Sequence, residues 1–241
     1  MCGNLCYNAY ICVKVLLFIG KGVVQVVRKY DFVLFDFDGT IADTGRGIMR
    51  CALIALNFFG YDEPDRERLK LFIGPPLVDS FMTYGADLET ARKMVDKYRE
   101  HYSAGGMFES DLYDGAQGML KSLYEAGCKM AIASSKPGKY VAAILEKLGI
   151  DEYFSFISAP EIGHVNPTKQ ELIDAAVTAL GADKAKTVMV GDRLFDIEGA
   201  KQAGVASIGA VYGFGGEEEM EKHGADMLAF NASEITELIL E

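Results

Sequence analysis

The chain reads Phe32-Val33-Leu34-Phe35 and is then broken at once by Asp36. A run this short, apolar and rich in aromatic and β-branched residues is the signature of a strand buried on both faces of a parallel sheet. Lys129-Met130-Ala131-Ile132-Ala133 and Val188-Met189-Val190 repeat the pattern and also end in small or polar residues. Helical periodicity fills the intervals: Ala116 to Ala126, Gly138 to Leu148, and a stretch ending at Leu180, with a further short strand near Phe154 to Ser158. Such alternation predicts an α/β fold, a doubly wound parallel sheet with a Rossmann-like core.

One stretch departs from it. From Thr44 to about Tyr113 the pattern is helical throughout, with Ile48, Cys51, Ala52, Ala55, Leu56 and Phe59 on one face of the first segment. Leu77 to Tyr84 and Leu88 to Tyr102 supply two more segments, and Gly74-Pro75-Pro76 marks a turn before them. The expected organisation is a core of residues 31–44 and 114–241 with a helical insertion at 45–113.

The strand ends carry the chemistry. Ligands of open α/β sheets bind at the carboxyl ends of the strands, and Asp36-Phe37-Asp38-Gly39-Thr40 places two carboxylates there, one residue apart. Alternation along an extended chain points both the same way. That arrangement suits phosphoryl transfer, with Asp36 as nucleophile and Asp38 as the acid and base that protonates the leaving oxygen and later helps a water attack. Gly39 permits a tight turn able to cradle a phosphate. Ser134 and Ser135 offer donors to phosphate oxygens ahead of a helix. In Asn166-Pro167-Thr168-Lys169 the proline suits a first helical turn and sets Lys169 near its start, where an ammonium steadies nucleophile and phosphate. The run Gly191-Asp192-Arg193-Leu194-Phe195-Asp196 ends another strand. Asp36, Asp38 through its carbonyl, and Asp192 form a candidate Mg²⁺ site with waters, and Asp196 would orient Asp192 or those waters.

These four motifs, in this order, resemble the haloacid dehalogenase superfamily, and the stretches Leu148-Gly149-Ile150, Gly199 to Val205 and Ile208 to Gly215 are similar to its phosphoglycolate-phosphatase-like branch. The resemblance implies a helical cap over the strand-end site and the roles given above for Asp36, Asp38, Ser134, Lys169 and Asp192. It implies a Mg²⁺-dependent hydrolase of a small phosphomonoester, working through an aspartyl-phosphate. Phosphoglycolate is the first substrate expected, with a nucleoside monophosphate or pyrophosphate next. A hexose-phosphate mutase and a silent phosphate-binding protein are the alternatives, while the acid at position 38 counts against a dehalogenase.

Composition narrows the partners. A net charge of −11 without a basic stripe argues against a nucleic-acid polymer and for a small phosphorylated metabolite. The five cysteines, Cys2, Cys6, Cys12, Cys51 and Cys128, form no Cys-x-x-Cys pair, and their odd number suits a reducing compartment, the cytoplasm. His101, His164 and His223 are scattered, which argues against a histidine-built metal site or triad. Residues 1–30 carry Lys14, Lys21, Arg28 and Lys29 and no acid. Their apolar stretch is interrupted by Lys14 and Lys21, so neither a membrane span nor a well-formed signal peptide is expected. The favoured reading is an artefactual extension, with translation starting nearer Val26 or Val27.

Overall fold

Val33 and Phe35 face one side of the first strand and Leu34 the other, and none of the three is exposed to solvent. That burial on both faces requires layers of helices above and below, and the computed structural model supplies them. It describes residues 27–163 and 167–240; residues 1–26 of the N-terminal extension, with Cys2, Cys6 and Cys12, and the residues His164 and Asn166 lie outside the described residues.

The main sheet contains β1 (Phe32–Phe35), β4 (Lys129–Ala133), β5 (Phe154–Ser158), β6 (Thr187–Gly191), β7 (Ala206–Ala210) and β8 (Met227–Ala229), in the order β5-β4-β1-β6-β7-β8. All its pairings are parallel. On one face α4 (Ala116–Glu125), α5 (Gly138–Leu148) and α9 (Ala232–Leu240) bury Leu120, Leu123, Ile144 and Ile235 against Val33 and Phe35. On the other, α6 (Lys169–Leu180) and α7 (Leu194–Ala203) bury Leu172, Ile173 and Ala200 against Leu34. The doubly wound sheet expected from the alternation is the sheet observed. The acidic run Glu217-Glu218-Glu219 reads as a helix start and opens α8 (Gly216–His223), which completes this end of the sheet, while β7 and β8 are not separated out by the sequence pattern.

Strand order sets the site. From β1 the chain builds outward through β4 and β5, then returns to the opposite flank of β1 with β6. The reversal lies beside β1, the position at which open α/β sheets form their ligand crevice. Register does the rest: Phe35 pairs with Ile132 on one side and Val190 on the other, so β1, β4 and β6 end level. Asp36, Ser134 and Asp192 therefore emerge at one edge.

The helical stretch leaves and rejoins the core through two short strands, β2 (Ala42–Asp43) and β3 (Asp111–Leu112), paired antiparallel with Ala42 opposite Leu112. Between them run α1 (Gly45–Phe58), α2 (Leu77–Met82) and α3 (Leu88–Ser103). Their apolar faces, with a short 3-10 turn at Arg68–Phe72 between α1 and α2, form a cluster of their own, including Ile48, Leu56, Phe72, Phe81 and Tyr98. The Phe72 and Phe81 rings lie 4.7 Å apart, and Tyr98 stacks on Tyr102 at 5.2 Å. Tyr140 of α5 joins this cluster from the core side, edge-on to Tyr102.

Candidate active site

Asp36 and Asp38, with only Phe37 between them, find different partners. Asp36 continues the β1 ladder, its N–H donating to the Val190 carbonyl at 2.9 Å, and its Oδ1 lies 3.2 Å from Lys169 Nζ. Asp38 has left the strand. Its Oδ1 accepts from Thr44 Oγ1 at 2.5 Å and from Lys136 Nζ at 2.8 Å.

Lys169 owes its place to a helix start. Thr168 caps α6 and pairs reciprocally with Glu171, its hydroxyl accepting from the Glu171 N–H at 3.2 Å while its own N–H donates to Glu171 Oε2 at 2.7 Å. The next residue, Lys169, then extends inward, where Nζ meets Asp196 Oδ1 at 2.7 Å and the Ala133 carbonyl at 3.0 Å as well as Asp36. Burial works against the ammonium, but Asp196 and Asp36 outweigh it and raise its pKa. Lys169 is a permanent cation.

Ser134 is buried at the end of β4, and its Oγ accepts from the Lys136 N–H at 3.3 Å, leaving the hydroxyl proton to offer. Ser135 lines the same cavity. Gly39 adopts φ +84°, and a Cβ there would lie 2.1 Å from Asp192 Oδ2. Its N–H is already engaged by the Ala42 carbonyl at 3.0 Å, so what Gly39 contributes is close approach to Asp192 rather than a spare donor.

Asp192 and Asp196 are fully buried. Asp192 Oδ2 accepts from the Phe214 N–H at 2.8 Å, and Asp196 Oδ2 from the Arg193 N–H at 3.0 Å. Oxygens of Asp36, Asp192 and Asp196 all fall within 4.8 Å of one another. The Asp38 carboxylate is not in this cluster, and Asp196 is. Burial first, then Asp196 and Asp36, lift the Asp192 carboxyl well above the ordinary carboxylate range. Burial also lifts Asp196 to about 6, against the pull of Lys169 and with a push from Asp36. Three crowded carboxyls with a single ammonium among them are short of positive charge. A hard divalent cation is the group that such an all-oxygen set fits.

A model of haloacid dehalogenase-like hydrolases matches residues 33–210, from β1 through β7. The chain belongs to that family. Among relatives of this hydrolase, a 5′-nucleotidase of Pseudomonas aeruginosa is 40% identical over 196 residues, covering 81% of this chain and 89% of the relative. Tyrosine-protein kinase PtkA of Mycobacterium tuberculosis is 31% identical over 206 residues, covering 86% and 70%. A putative phosphatase from Clostridium difficile superposes with a TM-score of 0.81 at 38% identity, covering 87% of this chain and 98% of that one. The hydrolase falls in the class of phosphoric monoester hydrolases.

Above the strand ends lies a cavity of about 620 Å³, walled on the core side by Asp36, Asp38, Ser134 and Lys169 and on the helical side by Phe72, Val95, Tyr98 and others. Sequence reasoning gave no role to Lys136, Thr44 or Arg193, which also act at this edge. Lys136 follows Ser135 directly, so the level strand ends were a usable signal. For Arg193 there was none, because Ile73 lies 120 positions away, whereas Thr44 stands only six residues beyond Asp38.

Proposed function

We propose that the protein is a Mg²⁺-dependent phosphatase that hydrolyses a small phosphomonoester through a phosphorylated Asp36. The observation that carries this reading is the contrast between the two neighbouring carboxylates: Asp36 faces Lys169 and the acidic cluster, while Asp38 is turned to Lys136 and Thr44. One is placed to attack, the other to handle protons.

The steps follow from those positions. Asp36 attacks phosphorus, the bond to the leaving oxygen breaks, and Asp38 gives that oxygen its proton. A water then attacks the aspartyl-phosphate, Asp38 takes up its proton, and inorganic phosphate leaves with Asp36 regenerated. Ser134 and Lys169 hold the phosphoryl oxygens in line. Asp36, Asp192 and the Asp38 carbonyl would hold the Mg²⁺, with Asp196 orienting Asp192 or the waters, and the ion would supply charge neutralisation at the phosphoryl group when bound. The helical segment at 45–113 acts as a cap over the core of 31–44 and 114–241, and its apolar wall excludes water during transfer.

The leaving group is where cavity and sequence differ in emphasis. Phosphoglycolate comes first on sequence resemblance, yet it is small and doubly anionic. The apolar wall of Phe72, Leu77, Val78 and Val95 supports a larger and less charged leaving group, such as a nucleoside. The relative named 5′-nucleotidase supports the same choice. Phosphate release with Mg²⁺ from nucleoside 5′-monophosphates, 2-phosphoglycolate, pyrophosphate and hexose phosphates, alongside Asp36→Asn, tests it. A nucleotide preference lost in the variant is expected. Preference for phosphoglycolate would return the assignment to the smaller substrate, and no release from any compound would overturn the phosphatase reading.

A further inference from the structure

Arg193 follows Asp192 at the end of β6, and its side chain reaches away from the sheet. Nη1 donates to the Ile73 carbonyl of the helical segment at 2.8 Å, while Nε donates to Glu219 Oε1 at 3.0 Å. The same Glu219 oxygen accepts from the Leu194 N–H at 2.7 Å. One carboxylate of α8 thus fixes both the guanidinium and the backbone beside Asp192. The fork geometry of arginine is what lets one side chain hold two partners at once.

The other side of this contact is equally specific. Gly74 has φ +101°, and a Cβ at that position would stand 2.9 Å from Arg193 Nη1. Glycine there gives the loop both its conformation and room for the guanidinium. Ile73, Gly74 and Arg193 all line the central cavity. On the β4 flank of β1 the helical segment is already tied to α5, through Ser103 Oγ and Tyr140 OH at 3.0 Å and through Lys147 Nζ to the Phe108 carbonyl at 2.5 Å. Arg193 makes the corresponding tie on the β6 flank.

We propose that Arg193, braced by Glu219, is a positioning residue that latches the Ile73–Pro76 loop onto the loop carrying Asp192, so that the helical segment closes over the substrate only where the acidic cluster is in place. As a device for enclosing a phosphorylated substrate it rests on the proposed phosphatase reading. The latch itself is a contact that can be measured without turnover.

Hydrogen exchange of the full chain, read on peptides covering residues 71–78 with Mg²⁺ and saturating inorganic phosphate, tests it. Arg193→Gln is expected to speed exchange in those peptides about tenfold, the scale of one charge-assisted hydrogen bond, while amides of β1 stay as slow as in the parent. Gly74→Ala breaks the contact from the opposite side and is expected to do the same, with the double variant no worse than either single one. Arg193→Lys keeps the charge near Asp192 but lacks the fork, so it is expected to resemble Arg193→Gln. In turnover the three variants should raise KM more than they lower kcat. Unchanged exchange at 71–78, effects that multiply in the double variant, or parent-like behaviour of Arg193→Lys would each overturn the latch. None of those outcomes depends on which substrate is cleaved.

Discussion

Lys136 Nζ lies 2.8 Å from Asp38 Oδ1 and 3.2 Å from Oδ2, and the same ammonium sits 4.9 Å from the centre of the Tyr102 ring. Only 5% of the lysine side chain and 16% of the aspartate remain exposed. Burial alone would drive the ammonium towards neutrality; Asp38 and Tyr102 overcome it and raise the lysine pKa. The pair therefore links the proton-handling carboxylate to the helical segment through a cation that cannot easily lose its partner.

Removing one member of such a pair should show in stability as well as in activity. Asp38→Asn is expected to slow phosphate release roughly 10²–10⁴-fold, the usual share of a general acid and base. It should also cost about 3 kcal/mol in urea unfolding, because the buried ammonium loses its counter-charge. The double variant Asp38→Asn with Lys136→Met should recover most of that stability and none of the activity. Recovery of both together would show that Asp38 acts through folding alone.

Asp36 tests the chemistry from the other side. Asp36→Asn is nearly isosteric and leaves Lys169 paired with Asp196 at 2.7 Å, so the fold should be retained. Phosphate release should nevertheless fall roughly 10⁴-fold or more, the scale on which loss of a nucleophile acts. Circular dichroism matching the parent, with measurable turnover persisting near the parental rate, would remove Asp36 from the reaction.

The acidic cluster makes stability depend on pH and metal together. Asp192 and Asp196 have folded-state pKa values above those of an unfolded chain, Asp196 at about 6. In the metal-free protein these groups bind more protons folded than unfolded, so their contribution is most favourable below about pH 4 and is lost as pH rises through the folded values. Mg²⁺ competes with those protons. The rise in Tm on adding Mg²⁺ should therefore be larger at pH 8 than at pH 5. Asp192→Asn removes one repelling carboxylate, and its metal-free form is expected to melt about 2–4 °C above the metal-free parent, a gain of about 1 kcal/mol in a chain of this size. It should show no response to Mg²⁺ and almost no turnover. Thermal scans across this pH range, with and without Mg²⁺, decide the matter.

What was legible in the sequence was what neighbouring residues dictate to one another. The apolar runs at Phe32–Phe35 and Lys129–Ala133, and the polar residues ending them, were enough to place Asp36 and Ser134 at strand ends. The helical face of Ile48, Cys51, Ala55 and Leu56 was equally local and is buried in the second cluster. Partners brought together by the sheet order were not legible. Arg193 meets Ile73 across 120 positions of chain, and Glu219, which reads as an ordinary acidic start to a helix, turns out to hold Arg193. The same holds for β2 and β3: two residues each, they carry no periodicity and exist only because the helical segment must leave and return at one place.

Gly39 offers the sharpest local test. It turns the chain immediately after Asp38 at φ +84°, and the missing side chain leaves space that Asp192 Oδ2 and Phe214 occupy, a Cβ falling 2.1 Å from the first and 2.7 Å from the ring of the second. In Gly39→Ala the backbone conformation costs about 1–2 kcal/mol by itself. The displaced Asp192 should add a functional penalty: half-maximal activity should need about tenfold more Mg²⁺, with substrate KM little changed. Gly60→Ala is the matched control, since Gly60 has φ +80° but nothing within 4 Å of its Cβ position. It should carry the backbone cost without any change in Mg²⁺ requirement. Titration of activity with Mg²⁺ separates the two variants. A shift of the same size in both would mean that the space beside Asp192 is unimportant and that backbone strain alone weakens the enzyme.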